Sequence, residues 1–327
     1  LYDASGEVEV RRAHYWMVDA AGNVLLSLDL PTLPPTRPEA TIHSGALAVN
    51  NHGVVVGYQL EEEDFLAVRP LLWPHGAAAP IELPLPEGAV GASASSINDE
   101  GIVVGTASSL DEESLVAWKV AVVDGVWTVH DTQTILTSPG ILGAEVANSG
   151  YVCTNLNYPD SRAHRLRLAW DGEQIWEVAG SRTQLFNVYS QAQGINEAGT
   201  VCGSYNDGRS WAFVMNAAGT QLVLPQLPGG RIGGQPYEIR NFAANGLNNA
   251  SPLQVVGIGS IVIKKTLEWR GDVGVLWNIG GSAVNLDAAT SRELYLNDIN
   301  DAGWIVGDAV DTEDFLLRQP VVLIPSR

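Results

Sequence analysis

The sequence predicts an all-β fold, a six-bladed β-propeller of four-stranded antiparallel blades with one surplus terminal strand. Three observations predict it. A sequence template recurs every 48 to 52 residues, each copy contains four short apolar segments separated by turn residues, and no stretch keeps a helical periodicity. Strands of this length and spacing are typical of propeller blades. We therefore expect residues 1–327 to form a single propeller domain.

Each copy of the template is marked by an asparagine that follows a short run of small and apolar residues. Most copies place a glycine two or three residues later and then continue into a β-branched run, as in Gly53–Gly57. Asparagine at the first turn position and glycine at the fourth favour a tight reverse turn. Each copy is thus predicted to open with a hairpin. The six equivalent residues are Asn50, Asn98, Asn148, Asn196, Asn248 and Asn300.

A third strand follows the hairpin and carries an aromatic residue, and a short fourth strand comes next, as in Val24–Leu28. The aromatic position is occupied by Trp16, Trp73, Trp118, Trp170, Phe213 and Trp277, with Leu323 in the matching place. The third strand therefore occurs seven times and the other strands six times.

Two hypotheses account for the surplus strand. In the first, the segments 13–18 and 24–30 complete the last blade beside residues 296–308, and the final strand lengthens a sheet edge. In the second, the terminal strand within 315–327 lies on the blade edge of a neighbouring copy, because exposed backbone groups recruit other strands. Repeated head to tail, that contact would build a filament.

The asparagine, glycine and tryptophan pattern resembles the HAF repeat, a family of exported bacterial repeats with an Ile-Asn-x-x-Gly-x-Val-Val-Gly core and an Ala-Phe-x-Trp strand. The likeness spans nearly the whole chain and departs from the family in repeats three and five, where the glycine spacing slips. The resemblance implies an extracellular propeller and no catalytic residues. Because the chain begins at Leu1 without methionine, we expect a secreted protein whose export signal has been removed.

Charge and hydropathy exclude several classes of partner. Lysine and arginine number 18 against 37 acidic residues, a formal net charge of −19 that repels nucleic acid and anionic membranes. No run of about eighteen apolar residues is present, so membrane insertion is not expected. Cys153 and Cys202 replace valines of the template and are predicted to be small buried hydrophobes.

The loop between the hairpin and the aromatic strand is acidic in repeats one, two and six. Oxygen-rich clusters of this kind can hold calcium or a basic partner, whereas ordinary solvated loops have the same composition and none of these runs has the alternating ligands of a calcium loop. The candidate metal ligands are Glu61, Glu62, Glu63, Asp64, Asp111, Glu112, Glu113, Asp311, Glu313 and Asp314.

No catalytic or cofactor motif appears in the chain, and its six histidines are scattered without metal spacing. The sequence therefore favours a non-catalytic extracellular structural or adhesive propeller that assembles by exchange of a terminal strand. The alternative is a carbohydrate- or small-ligand-binding propeller, including a hydrolase or lyase with its site at the mouth of the ring.

Overall fold

A computed structural model describes residues 10–61, 68–76, 79–157, 161–287, 292–310 and 318–325. The fold is all-β, and its antiparallel sheets follow the repeats in order. The predicted six-bladed β-propeller is confirmed. By compactness the chain divides into two units: Leu1–Val152, Leu156–Tyr158 and Leu166–Ser181 form the first, and Cys153–Asn155, Pro159–Arg165 and Arg182–Arg327 form the second. The single-domain expectation stays a prediction.

The first unit begins with a two-stranded sheet and continues into blades one and two, which have four strands each. The N-terminal sheet contains β1 (His14–Val18) and β2 (Val24–Asp29). Blade one contains β3 (Ile42–Val49), β4 (Val55–Glu61), β5 (Arg69–Trp73) and β6 (Ile81–Glu82). Blade two contains β7 (Gly91–Ile97), β8 (Ile102–Ser108), β9 (Glu113–Val123) and β10 (Val126–Ser138).

Blade three is divided between the units and has a short fifth strand, β15, paired with β13. Its strands are β11 (Ile141–Val146), β12 (Tyr151–Leu156), β13 (Arg162–Trp170), β14 (Ile175–Glu177) and β15 (Thr183–Gln184).

The second unit holds blades four to six. Blade four contains β16 (Ser190–Ile195), β17 (Val201–Asn206), β18 (Ser210–Met215) and β19 (Gln221–Val223). Blade five contains β20 (Gly230–Ile232), β21 (Gln235–Leu247), β22 (Gln254–Ile263), β23 (Trp269–Asn278) and β24 (Ala283–Asn285). Blade six, as far as its residues are described, contains β25 (Glu293–Ile299), β26 (Ile305–Val310) and β27 (Arg318–Leu323).

Within each unit, successive blades pack face to face and bury apolar side chains between them. Val56 and Leu72 of blade one share a buried cluster with Ala94, Ile97 and Trp118 of blade two. The same arrangement recurs between blades two and three, four and five, and five and six. The core of this protein is therefore a series of seams between sheets.

A glycine in the second strand allows the first two strands of a blade to approach closely. A Cβ atom at Gly57 would lie 1.9 Å from the carbonyl oxygen of Gly45, and one at Gly203 would lie 1.9 Å from that of Gln191. Any side chain there would collide with the neighbouring backbone. This contact explains why the template keeps a glycine at the end of its β-branched run.

The indole of the third strand makes a hydrogen bond that joins consecutive repeats. Nε1 of Trp118 donates to the carbonyl oxygen of Pro84 at 2.7 Å, and Pro84 follows the fourth strand of blade one. Trp277 in blade five makes the same 2.7 Å bond to Pro225, which follows the fourth strand of blade four. Each indole thus fills the seam and satisfies its only polar atom there.

The structure shows how both terminal segments pair within the chain, while donation of a strand to another copy stays a prediction. The C-terminal strand β27 pairs with β26 of its own chain, with Ile305 opposite Leu323 and Val310 opposite Arg318. The N-terminal strands β1 and β2 pair with each other and form a separate sheet. The third-strand template fits both termini, and β27 takes that position in blade six.

The structure also corrects the register of repeat three. Its turn begins at Ala147, whose N–H donates to the carbonyl oxygen of Tyr151, and Gly150 donates to the carbonyl of Ala147. Asn148, predicted at this position, lies one residue later. The reason is that Asn148 and Gly150 are only two residues apart, and the turn requires its glycine at the fourth position.

Replacing Trp118 with alanine should lower the free energy of unfolding by about 3–5 kcal/mol, because a fully buried indole and its bond to Pro84 are lost. Urea denaturation followed by circular dichroism measures the change. Trp176→Ala is the matched control, since Trp176 is largely exposed. Equal losses in the two variants would contradict the role of the seam.

Candidate functional site

The repeated asparagine shapes its own turn with its side-chain oxygen. Oδ1 of Asn98 accepts a hydrogen bond from the backbone N–H of Ile102 at 2.8 Å. Oδ1 of Asn50 accepts from both His52 and Val54, at 3.0 Å each. The same pattern occurs at Asn196 and Asn300. The predicted turn is therefore present, and the amide nitrogen of each side chain remains for another partner.

The amide nitrogen of this asparagine bonds to the corresponding turn of the next blade. In the first unit, Nδ2 of Asn50 donates to the carbonyl oxygen of Asn98 at 3.1 Å, and Asn98 donates to that of Ala147 at 3.1 Å. In the second unit, Asn196 donates to Asn248 at 3.1 Å and Asn248 to Asn300 at 3.2 Å. We call this series the asparagine ladder.

The residue after the asparagine adds a second set of bonds between blades. The carboxylate of Asp99 accepts from the backbone N–H and from Nδ2 of Asn51, at 2.9 and 2.7 Å. Oδ1 of Asn249 accepts from the backbone N–H of Glu197 at 2.9 Å, and Asp301 accepts from Asn249. Accepting these bonds, chiefly from the side chain and N–H of Asn51, holds the pKa of Asp99 below its usual range although burial opposes the effect. The repeated polar residues thus bind blade to blade.

Each described acidic loop residue that was predicted as a metal ligand has surroundings of its own. The carboxylate of Glu61 is buried and accepts from the N–H of Thr36 at 2.5 Å and from its hydroxyl at 2.9 Å. These bonds hold the pKa of Glu61 below its usual range. Glu61 therefore anchors the segment that leads into blade one.

In blade two, Glu113 accepts from the backbone N–H of Ile141 at 2.6 Å, while Asp111 and Glu112 lie exposed on the turn. The remaining candidates lie outside the described residues; they are Glu62, Glu63, Asp64, Asp311, Glu313 and Asp314. Within the described ranges, no group of three or more His, Cys, Asp or Glu side chains is placed to hold a metal ion. Calcium binding at these loops stays a prediction.

A carboxylate cluster that sequence reasoning missed joins blades five and six. Asp272 is buried and accepts hydrogen bonds from Ser260 at 2.7 Å, from Trp269 at 3.1 Å and from the hydroxyl of Tyr295. Glu293 accepts from the backbone N–H of Asp272 at 2.7 Å. The cluster ties β23 to β25 through side chains that no short motif connects.

Asp287 lies beside this cluster, and its burial there alters its protonation. Its Oδ1 accepts from the backbone N–H groups of Gly274 and Leu294, at 2.8 and 3.3 Å. Burial, with smaller contributions from Glu293 and Asp272, raises the pKa of Asp287 to about 6. The carboxyl therefore takes up a proton just below neutral pH while remaining bonded to the backbone.

Blade two also contains a polar cleft of about 270 Å³. Its hydroxyl groups come from Ser108, Ser109, Ser114, Thr134 and Thr137, with Glu87 and the predicted site residue Glu112 on its walls. Such a lining suits a small polar ligand, because each hydroxyl can donate and accept a hydrogen bond.

The structure also bears on the two cysteines and on the search for membrane-spanning segments. Cys153 and Cys202 are both buried and unbridged, as expected of residues that replace valine. In the part of the chain that the structure describes, no helix has the length and hydropathy needed to cross a membrane.

Comparison with known proteins gives the family. A family model described as "Protein of unknown function (DUF3466)" matches residues 6–212. The chain belongs to the DUF3466 family. No curated protein matches this DUF3466 chain. The likeness to the HAF repeat remains a resemblance of the repeated turn and strand pattern.

A solved β-propeller domain shares the fold of this DUF3466 protein, and two further solved structures align with it less well. The β-propeller domain of the Trilobed protease from Pyrococcus furiosus, described as having an open velcro topology, aligns with a TM-score of 0.54 at 7% identity over 86% of this chain and 82% of that one. Kluyveromyces lactis Hsv2 gives a TM-score of 0.43 at 13% identity over 93% and 90%, and Trypanosoma rangeli sialidase gives 0.41 at 10% identity over 96% and 58%. At such identities the likeness to the protease domain shows the fold alone.

Replacing Asn98 with alanine should lower the free energy of unfolding by about 1–3 kcal/mol, because the buried turn loses an acceptor and the carbonyl of Ala147 loses one of its two donors. Asn300→Ala is the matched control, since Asn300 is exposed and, among the described residues, its side chain bonds only to its own turn. Urea denaturation compares the two. A loss at Asn300 as large as that at Asn98 would mean that the bond between blades contributes little.

Asp287→Asn should change how stability depends on pH. The folded pKa is raised, so above about pH 6 the native state holds a buried charge, and the cost is relieved as pH falls towards the ordinary value of 3.8. The variant should therefore be more stable than the parent at pH 7, with the difference vanishing near pH 4. Urea midpoints across this range measure it, with Asp111→Asn as the exposed control. A constant difference between variant and parent at all pH values would refute this account.

Proposed function

We propose that this DUF3466 protein is a non-catalytic structural or adhesive β-propeller that acts outside the cell and associates with copies of itself. The extracellular role is supported by the resemblance of its repeats to exported bacterial repeats. The structural role is supported by the way polar side chains are used. The asparagines of the ladder and Asp99 form hydrogen bonds that hold turns and blades together.

The observation that carries self-association is the edge of blade six, where β27 is the last described strand of its sheet. An open sheet edge supports exchange of a terminal strand. Strand β27 is the last strand of its sheet, and among the described residues no strand pairs with its outer side. Such an edge accepts a further strand from another chain. Pro320 lies in this strand opposite Asp308, consistent with the preference of proline for edges.

A second candidate function is the binding of a carbohydrate or another small polar ligand. The observation that favours it is the hydroxyl-lined cleft in blade two, where Ser114 and Thr137 lie 3.1 Å apart at their side-chain oxygens. This cleft is lined by blade two and by the loop that precedes it, and a ligand site at the mouth of the ring stays a prediction.

Sedimentation velocity over a range of concentrations tests self-association. We expect the weight-average mass to rise with concentration and to rise further with added salt, because salt screens repulsion between copies that each carry a formal charge of −19. Dilution should reverse the effect. A single monomeric species of 34.9 kDa under all conditions would refute the proposal.

A further inference from the structure

Blade five carries an extension that blade four lacks. Its strands β21, β22 and β23 have 13, 10 and 10 residues, whereas β16, β17 and β18 of blade four have six residues each. The short strand β20 pairs with the added part of β21, where Gly230 lies opposite Tyr237. We call residues 230–240 and 261–270 the blade-five extension.

The blade-five extension is held on the body of the second unit. Ile239 belongs to the buried cluster that blades four and five share, and Tyr237 and Ile261 pack against that cluster. Ile263 is buried where β22 ends. Blades four and six flank blade five and belong to the same unit, so the surroundings of the extension are set within one compact unit.

Basic residues are concentrated on this extension of an otherwise acidic chain. Five of the 18 lysines and arginines fall between residues 231 and 270, although the formal net charge of the chain is −19. The loop between the second and third strands is acidic in repeats one, two and six, whereas in repeat five it contains Lys264 and Lys265. The extension therefore differs in charge from the equivalent part of those three repeats.

Two of the five cations are paired with neighbouring carboxylates. Arg240 pairs with Glu238, and Nη2 of Arg270 lies 3.0 Å from Oε2 of Glu268. The other three are exposed and have no carboxylate partner among the described residues; they are Arg231, Lys264 and Lys265. Three positive charges are thus available to an anionic ligand.

Two of these free cations lie in one row across the sheet. Arg231 is directly opposite Pro236, and the carbonyl oxygen of Pro236 accepts a hydrogen bond from the backbone N–H of Lys264 at 3.1 Å. Because neighbouring strands are about 4.8 Å apart, the backbones of Arg231 and Lys264 are about 10 Å apart. Lys265 is the next residue of the loop. The row suits a linear polymer that carries acidic groups at intervals.

Trp269 gives the extension a flat apolar surface. The residue is 53% exposed, yet Nε1 of its indole donates to Oδ1 of Asp272 at 3.1 Å. Asp272 is buried and also accepts from Ser260 at 2.7 Å, which fixes the carboxylate. Because the polar atom of the indole is already bonded, the surface left to solvent comes from ring carbons. A ring held in this way is suited to stacking on the apolar face of a sugar.

The loop of the extension has a defined shape. The N–H of Leu267 donates to the carbonyl of Ile263 at 2.8 Å, and the N–H of Ile263 donates to that of Glu268 at 2.9 Å. Leu267 has a φ of 58°, a left-handed conformation that is unfavourable for a bulky side chain, and it is 62% exposed. Packing in the core does not account for this residue. It places apolar surface beside the two lysines.

From these observations we propose that the blade-five extension binds an acidic polysaccharide. Arg231, Lys264 and Lys265 contact its carboxylate or sulfate groups, and Trp269 stacks on one of its sugar rings. The inference rests on the adhesive part of the proposed function and is independent of self-association. The net charge of −19 repels a polyanion from a distance, but charges are screened beyond about 8 Å at physiological ionic strength, so the local cations govern the contact.

Two observations favour a polysaccharide over other polyanions. Three cations are few for a polyphosphate backbone, since nucleic-acid binding commonly neutralises about 6–10 phosphates. The exposed indole between charged residues favours a ligand with rings over an acidic peptide.

Equilibrium binding of the full chain to immobilised polygalacturonate and to immobilised dextran sulfate tests the proposal, with neutral dextran as the ligand control. We expect binding to at least one of the acidic polymers, weakening as salt is added, and no binding to dextran. Comparison of the two polymers shows whether carboxylate or sulfate is preferred. Equal binding to dextran, or no binding to either acidic polymer, would overturn the inference.

The double variant Lys264→Gln, Lys265→Gln tests the cations. It should weaken binding about tenfold, because two surface ion pairs with the ligand are lost. The double variant Arg167→Gln, Arg209→Gln is the matched control, since it removes the same charge from exposed positions outside the extension. An equal loss in the control would mean that net charge sets the affinity, and the assigned site would be wrong.

Trp269→Ala tests the stacking surface. It should weaken binding about tenfold while the melting temperature stays close to that of the parent, because the residue is half exposed, and Trp269→Phe should recover part of the affinity. Trp176→Ala removes another exposed indole and should leave binding unchanged. Unchanged binding by Trp269→Ala would refute the stacking and with it the choice of a sugar polymer.

Competition and sedimentation separate the remaining outcomes. Displacement by single-stranded oligothymidylate or by polyglutamate at lower concentrations than by polygalacturonate would identify a nucleic acid or an acidic peptide as the ligand and overturn the inference. A parent protein that self-associates but binds no acidic polymer would overturn the inference while self-association stands. A monomeric parent that binds through the extension would do the reverse.

Discussion

Each blade of this protein is a thin sheet with two apolar faces, and both faces are buried only if another sheet lies on each side. The buried clusters follow from this constraint, since each one combines the back of one blade with the front of the next. In such a series, each sheet gains much of its stability from packing against the neighbouring sheets.

Polar side chains, like the apolar ones, hold neighbouring blades together. One asparagine side chain closes its own turn with its oxygen and reaches the next turn with its nitrogen, as Asn98 does towards Ala147. The indole of Trp118 likewise fills a seam and satisfies its N–H on the backbone of the preceding repeat. Where a side chain has two uses, a similar residue does not replace it fully. An aspartate would lack the donor, and a phenylalanine would leave the proline carbonyl without its indole donor.

The sequence predicted the parts of the fold that depend on short-range pattern. Asparagine and glycine spacing predicted the hairpins, and the aromatic position predicted the third strands. What it could not predict depends on contacts between repeats. Because both termini fit the third-strand template, pattern alone could not decide that β27 pairs with β26. The bond from Asn50 to Asn98 spans 48 residues and has no local signature.

Contacts between distant segments also limited what the sequence could predict about the candidate site. Glu61 was grouped with the acidic loop residues, yet the structure buries its carboxylate under Thr36, a residue that precedes blade one. The cluster of Asp272, Asp287 and Glu293 was missed because its members come from separate segments and converge only when blades five and six pack. The sequence holds one weak signal for this cluster. Asp272 stands between Gly271 and Gly274 in an otherwise apolar repeat.

The bond from a third-strand indole to the proline of the preceding repeat, made by Trp73, Trp118 and Trp277, has a consequence for the history of this chain. Because the seam at Trp118 and Pro84 is built like the seam at Trp277 and Pro225, a segment of about fifty residues could be duplicated or lost without creating a new kind of junction. Gene rearrangement within the coding region would then alter the number of blades in whole steps. Relatives with a different tally of repeats would be the natural products of that process.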